Sequence, residues 1–188
     1  MSSSQKTVYI TYCYEIDVPK VNQLMALCSQ LLDQQKPEIF YFCIASPGGQ
    51  IAPGIALHNF LRSLPVKVVM HNIGSVDSIA TVIFLAGKER YANPNSSFLF
   101  HGIAQSFNEK TSLTVFQFKE LLSNIEQDQA KITNIITQYT KITVEELNNL
   151  FMQGEAKTPE FALEKGFISE IKPLSIESNA TLVSFVAK

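Results

Sequence analysis

Ser78 and His101 are the side chains whose type and setting could carry covalent chemistry. Ser78 stands at the mouth of an apolar helix in Gly74–Gly87, GSVDSIATVIFLAG. The dipole and free N–H groups of a helix N-terminus favour developing negative charge, which suits a serine nucleophile. A plain N-cap serine occupies the same position. Ser75, in the preceding loop, is a rival hydroxyl. His101 ends the apolar strand SFLF, and an unperturbed imidazole, titrating near pH ~6.5, suits general-base work at neutral pH. A structural histidine is the plainer alternative. His71, at another strand end, and His58, within a helix, compete for the role of base.

Acyl transfer also needs preorganised donors for an oxyanion. The stretch SPGG, Ser46–Gly49, follows an apolar run and precedes a helix. Adjacent glycines let backbone N–H groups approach a substrate without side-chain obstruction. The Gly48–Gly49 pair could supply one donor, and the Ile79 amide, just after the serine, the other. The order Gly-Gly, Ser, His, each at an element boundary, points to acyl transfer more firmly than any one feature.

The surrounding pattern must position these residues. Thr7–Ile16 and Glu38–Ala45 read as strands, the second apolar throughout as if buried on both faces. Pro19–Gln35 carries Val21, Leu24, Cys28 and Leu31 at helical spacing. Gln50–Leu64 reads as a helix ended by Pro65. Val66–Met70 reads as a strand, Gly74–Asp77 as a turn, Ser78–Leu85 as a helix closed by Gly87, and Ser97–Phe100 as a strand. This alternation predicts an α/β domain with parallel pairing. Val115–Tyr139 reads as one long helix whose Phe118, Leu121, Ile125, Ile132, Ile135 and Tyr139 follow a seven-residue spacing. That stripe packs either on its own domain or against another subunit. Thr143 with Glu146 predicts a capping box for a helix through Leu150. Thr158, Pro159 and Gly166 bracket another helix, and Phe167–Ile171 reads as a strand.

Bulk properties narrow the function classes. A chain of 188 residues with 46% hydrophobic content predicts one domain, 1–188, with a sizeable core. A net charge of −2 without a basic block argues against nucleic acid. MSSSQK lacks a signal-peptide core, and the longest apolar run, Ile79–Ala86, is too short to span a bilayer. Cys13, Cys28 and Cys43 fit no zinc spacing and read as buried or partly buried thiols in a reducing, cytoplasmic compartment. The histidines are too scattered in sequence for a metal site, and no Walker A loop is present. No metal or cofactor is expected.

The segments SPGG, GSVDSIATVIFLAG and PNSSFLFH (Pro94–His101) resemble the core motifs of the Clp protease proteolytic subunit family, over roughly Val8 to Lys172. The resemblance implies a crotonase-like α/β fold of repeated ββα units with a protruding handle helix, the handle region being about 102–141. It implies peptide-bond hydrolysis with Ser78 as nucleophile, His101 as base, and the Gly49 and Ile79 amides as oxyanion hole. An extended peptide or unfolded protein would lie near Gly48, Gln50 and Ile51 and near Gly102–Gln105. The family assembles as stacked heptameric rings joined by the handle, which here matches Val115–Tyr139 and favours the inter-subunit reading of its stripe.

The pattern departs from that family in three places. Gly154 falls where the family carries its triad aspartate, with Glu155 beside it as the candidate acid for His101. Asp77 precedes Ser78 where the family has a small residue. Pointing inward it would oppose an oxyanion; pointing outward it would favour the helix N-terminus. The first strand begins almost at the N-terminus, so the axial loop that helps engage an AAA+ unfoldase is expected to be minimal and that partnership stays open. Two other classes compete with the peptidase. One is a catalytically impaired homologue acting as a structural or regulatory ring subunit. The other is a related crotonase-fold enzyme: a signal-peptide-peptidase type using a Ser–Lys dyad with Lys119 or Lys131, or an acyl-CoA hydratase or isomerase.

Overall fold

The computed structural model describes residues 6–104, 112–178 and 180–187. The elements run β1 (Thr7–Tyr12), α1 (Val18–Gln35), β2 (Ile39–Ser46), α2 (Ile51–Ser63), β3 (Lys67–Asp77), α3 (Ile79–Phe84), β4 (Glu89–Ala92) and β5 (Ser97–Leu99). After them come α4 (Val115–Tyr139), α5 (Val144–Gln153), β6 (Ala156–Lys157), α6 (Pro159–Glu164), β7 (Glu170–Ile171) and β8 (Thr181–Ser184). The strands form one mixed sheet in the order β6-β5-β3-β2-β1-β8, with β4 and β7 branching from β3. Every pairing is parallel except β5 with β6, as the strand–helix alternation predicts.

Local chemistry accounts for the element ends. Asp17 caps α1 by accepting from the Lys20 amide at 2.8 Å. Val21, Leu24, Cys28 and Leu31 of that helix are buried, and Lys36 ends it in a left-handed turn whose N–H reaches the Leu32 carbonyl. Thr143 caps α5 through the Glu146 amide, while the Glu146 carboxylate pairs with Lys165 at 2.7 Å.

Strand β3 differs most from the sequence expectation. It runs on past Met70 through the stretch read as a turn, because it serves two partners in succession. Val69–Asn72 pairs with β4, and Ser75–Asp77 pairs with β5. Asn72, wholly buried, bridges the fork: its side chain donates to the Ser97 carbonyl at 2.7 Å and accepts from the Gly74 amide at 3.0 Å. Asn and Gly in sequence look like a turn, but here the amide side chain replaces ladder hydrogen bonds. The result carries Asp77 and Ser78 to the end of β5, where His101 follows.

Helix α3 is buried along its whole length, and Phe84, Phe98, Phe100 and Phe167 cluster around it with ring centres 5.2–5.7 Å apart. Cys28 and Cys43 are buried, and burial pushes both thiols up to about 12. Cys13 is exposed instead, since it lies just past the end of β1. Helix α4 has the predicted bounds but two characters. Ile132 and Ile136 are buried, whereas Val115, Phe116, Phe118 and Leu122 face outward, Phe116 with 82% of its surface exposed. Among the described residues no helix is long and apolar enough to cross a membrane.

Candidate active site

Ser78 joins β3 to α3 in a conformation that L-residues rarely adopt, with φ 55° and ψ −130°. Such a backbone costs of order 1–3 kcal/mol and persists only where its surroundings impose it. Here the Ser78 amide donates to the Leu99 carbonyl at 2.8 Å, tying the turn to β5. The Ser78 carbonyl accepts from the Thr81 amide at 3.0 Å and the Thr81 hydroxyl at 2.6 Å. Its side chain makes no capping hydrogen bond, so the plain N-cap reading does not describe this serine.

The glycine pair is required by close approach. Gly48 has φ 87°, and a Cβ placed there would lie 2.6 Å from Ser78 Cβ and 2.7 Å from the Asp77 carbonyl oxygen. Gly49 has φ 148° and lies against the backbone of Ile16, so a side chain there would collide with main chain. The loop is anchored by Ile16 N–H to Gly48 O at 2.8 Å and Gln50 N–H to Ile16 O at 2.7 Å. The backbone hydrogen bonds of the described residues use neither the Gly49 nor the Ile79 amide.

Ser78, His101, Gly49, Ile51, Ile79 and Gly102 line one pocket of about 120 Å³. His101 is exposed, and its Nδ1–H donates to the Gly102 carbonyl at 2.7 Å. That bond leaves Nε2 as the acceptor nitrogen. Gly102 is itself anchored by its amide on the Phe151 carbonyl at 3.3 Å. A larger groove of about 780 Å³ adjoins the pocket and shares Gly49, Ile51, Ile103 and Ala104 with it. Gln50 lies in this groove; Gly48 lies beneath Ser78, in neither; Gln105 is outside the described residues.

The rival histidines are engaged in the fold. His58 Nδ1 meets the Val82 carbonyl at 2.7 Å. His71, wholly buried, bridges the Tyr41 hydroxyl at 2.7 Å and the Lys172 carbonyl at 3.1 Å. Burial holds both imidazoles below the usual histidine range. Ser75 lies on β3 and its hydroxyl serves the Asp77 carboxylate.

Glu155, the candidate acid, stands at the surface. Its side chain is 69% exposed and pairs with Lys157 at 3.3 Å. The β5–β6 pairing, Phe98 with Lys157 and Leu99 with Ala156, ends short of both Glu155 and His101. Among the described residues no hydrogen bond or ion pair joins Glu155 to His101. Gly154 ends α5 in a left-handed turn, with φ 58° and nothing within 4 Å of where a Cβ would stand. Asp77 is half-buried, and burial raises its carboxyl above the usual range. The Ser75 hydroxyl, the His101 charge and a Leu99 backbone hydrogen bond work against that rise.

Sequence reasoning missed the pocket walls: Thr81, Phe100, Ile132 and Phe151. Ile132 was on the α4 stripe, and Phe151 stood just past the predicted end of α5; only tertiary packing assigns them to the site.

The Clp protease family model matches residues 1–173. This chain belongs to the Clp protease family. The Clp protease match spans every element from β1 to β7 and ends before β8. Among similar curated proteins is the ATP-dependent Clp protease proteolytic subunit 2 of Tropheryma whipplei, 28% identical over 92% of this chain and 99% of that one. Proteolytic subunit 1 of Leifsonia xyli is 26% identical over 84% of this chain and 79% of its own length. The corresponding subunit of Deinococcus radiodurans is 28% identical over 75% and 69%. The mixed α/β architecture is that of the Clp protease fold.

Proposed function

We propose that this chain is a Clp-type serine peptidase that cleaves peptide bonds with Ser78 and His101. The observation that carries the reading is a single pocket lined by Ser78, His101, Gly49 and Ile79. In the first step His101 Nε2 takes the Ser78 hydroxyl proton as Oγ bonds to the substrate carbonyl carbon. The carbonyl π pair moves to oxygen, where the Gly49 and Ile79 amides receive it. The C–N bond then breaks as the imidazolium gives its proton to the leaving amine. Water, deprotonated by the same nitrogen, attacks the acyl ester and releases the acid and free Ser78.

The pocket wall of Ile51, Ile79, Phe100, Ile103, Ile132 and Phe151 suits one medium-sized apolar side chain beside the scissile bond. The adjoining groove along Gln50, Ile51 and Ile103 suits an extended peptide or unfolded segment. The relatives are named subunits of an ATP-dependent protease. With the bare apolar front of α4, this supports an oligomer in which the segment 102–141 is a handle between subunits and the rings are heptameric. An ATPase that unfolds substrates is the corresponding partner.

A second reading, an impaired ring subunit, is favoured by one observation: glycine stands at position 154, where the family resemblance places the triad acid. A fluorophosphonate probe separates the two. The active reading expects stoichiometric labelling that Ser78→Ala abolishes, together with turnover of a short fluorogenic peptide. Absent labelling and turnover in the pure oligomer would establish the impaired subunit.

A further inference from the structure

With Glu155 turned toward Lys157 and position 154 without a side chain, no carboxylate among the described residues contacts His101 as a serine triad's acid would. Its Nδ1–H is oriented by the Gly102 carbonyl, which fixes the ring but carries no charge. We propose that Asp77 is the anionic partner of His101, its carboxylate stabilising the imidazolium that forms when His101 takes the Ser78 proton. This rests on the serine-peptidase reading above.

The argument begins with register. Asp77 is the Cα partner of Leu99 in the parallel β3–β5 pair, and parallel partners present their side chains on one face. Burial alternates along the next stretch: Phe98 and Phe100 enter the core, while Leu99 is half-buried and His101 exposed. Ser75, Asp77, Leu99 and His101 therefore share the face opposite Val76 and Phe98. Two residues of rise and one strand spacing put the Cα atoms of Asp77 and His101 about 8 Å apart, within reach of two side chains.

The surroundings of Asp77 leave its charge to His101. Ser75 on its own strand donates a hydroxyl to it, and a Leu99 backbone hydrogen bond reaches it from β5. Neither neutralises it. Among the described residues its side chain enters no direct ion pair, with His101 included, so its charge acts on that ring through space and not by contact. His101 is the cation that its carboxyl senses. Asp77 does not line the pocket of Ser78. A carboxylate on the His101 face but outside the pocket wall favours imidazolium formation without lining the substrate's place. Asp77 is a positioning residue in this scheme: it touches neither substrate nor the reacting oxygen.

The test follows the His101 ring by NMR in the full-length, histidine-labelled protein, with Ser78 labelling measured in parallel. In Asp77→Asn, the His101 titration midpoint is expected to move about half a unit to lower pH. Labelling at neutral pH should slow about 3- to 10-fold, with the difference narrowing at high salt. Asp77→Glu should recover part of both effects. The His58 and His71 ring signals report whether each variant keeps the fold. An unmoved midpoint in a folded Asp77→Asn variant overturns the proposal, whether or not Ser78 reacts. Failure of the parent to label Ser78 overturns the peptidase reading instead, and the ring titration still decides the Asp77–His101 pairing.

Discussion

The two flanks of His101 are built to different degrees. On the nucleophile side, backbone hydrogen bonds from β5 and α3 and the close approach of Gly48 all constrain Ser78. On the side of β6, Gly154 has open space where a side chain would stand, and the next residue is tied to Lys157 at the surface. Position 154 has a left-handed backbone with room for a side chain and carries none. Loss of a catalytic group need not disturb a fold when that group stood on a turn outside the core, whereas Ser78 and Gly48 are coupled to the core through α3.

Breaking the built flank should have the larger effect. His101→Gln keeps a polar side chain but no base, and should slow Ser78 labelling by roughly 10²- to 10⁴-fold, measured as the second-order rate with a fluorophosphonate. Filling the bare flank should sharpen the contrast. Aspartate tolerates a left-handed backbone, and a Cβ at 154 meets nothing, so Gly154→Asp should fold and raise peptide turnover roughly tenfold. The gain should be greater in an Asp77→Asn background, where the two carboxylates substitute for one another. The smallest change is expected for Glu155→Gln: less than about twofold in turnover, and under ~0.5 kcal/mol in urea unfolding, because its ion pair is exposed.

Much of this arrangement was legible in the sequence. The bounds of α4 and the site order Gly-Gly, Ser, His follow from apolar spacing and element boundaries. What stayed hidden depended on neighbours distant in sequence. The tail of β3 was masked because Asn72 and Gly74 carry turn chemistry, and only the buried Asn72 amide reveals a strand changing partners. The strands β4, β6 and β8 are too short for a periodicity to emerge. The stripe on α4 identified one helix face but could not say that Ile132 and Ile136 would enter their own core while Phe118 stayed bare. Glu155 looked available as an acid because the sequence does not reveal that its side chain pairs with Lys157 at the surface.

Strand β8, beyond the family match, lies along β1 in parallel register from Val8 to Thr11, and Phe185 just past it rests 5.1 Å from the Tyr12 ring. Without that cover, β1 would present a row of unanswered peptide groups to any other open sheet margin. β8 is itself the outermost strand, so the open margin moves from the six residues of β1 to the four of β8, a shorter row for another molecule to pair with. Shortened versions of the chain should clump on heating, even with the catalytic pocket untouched.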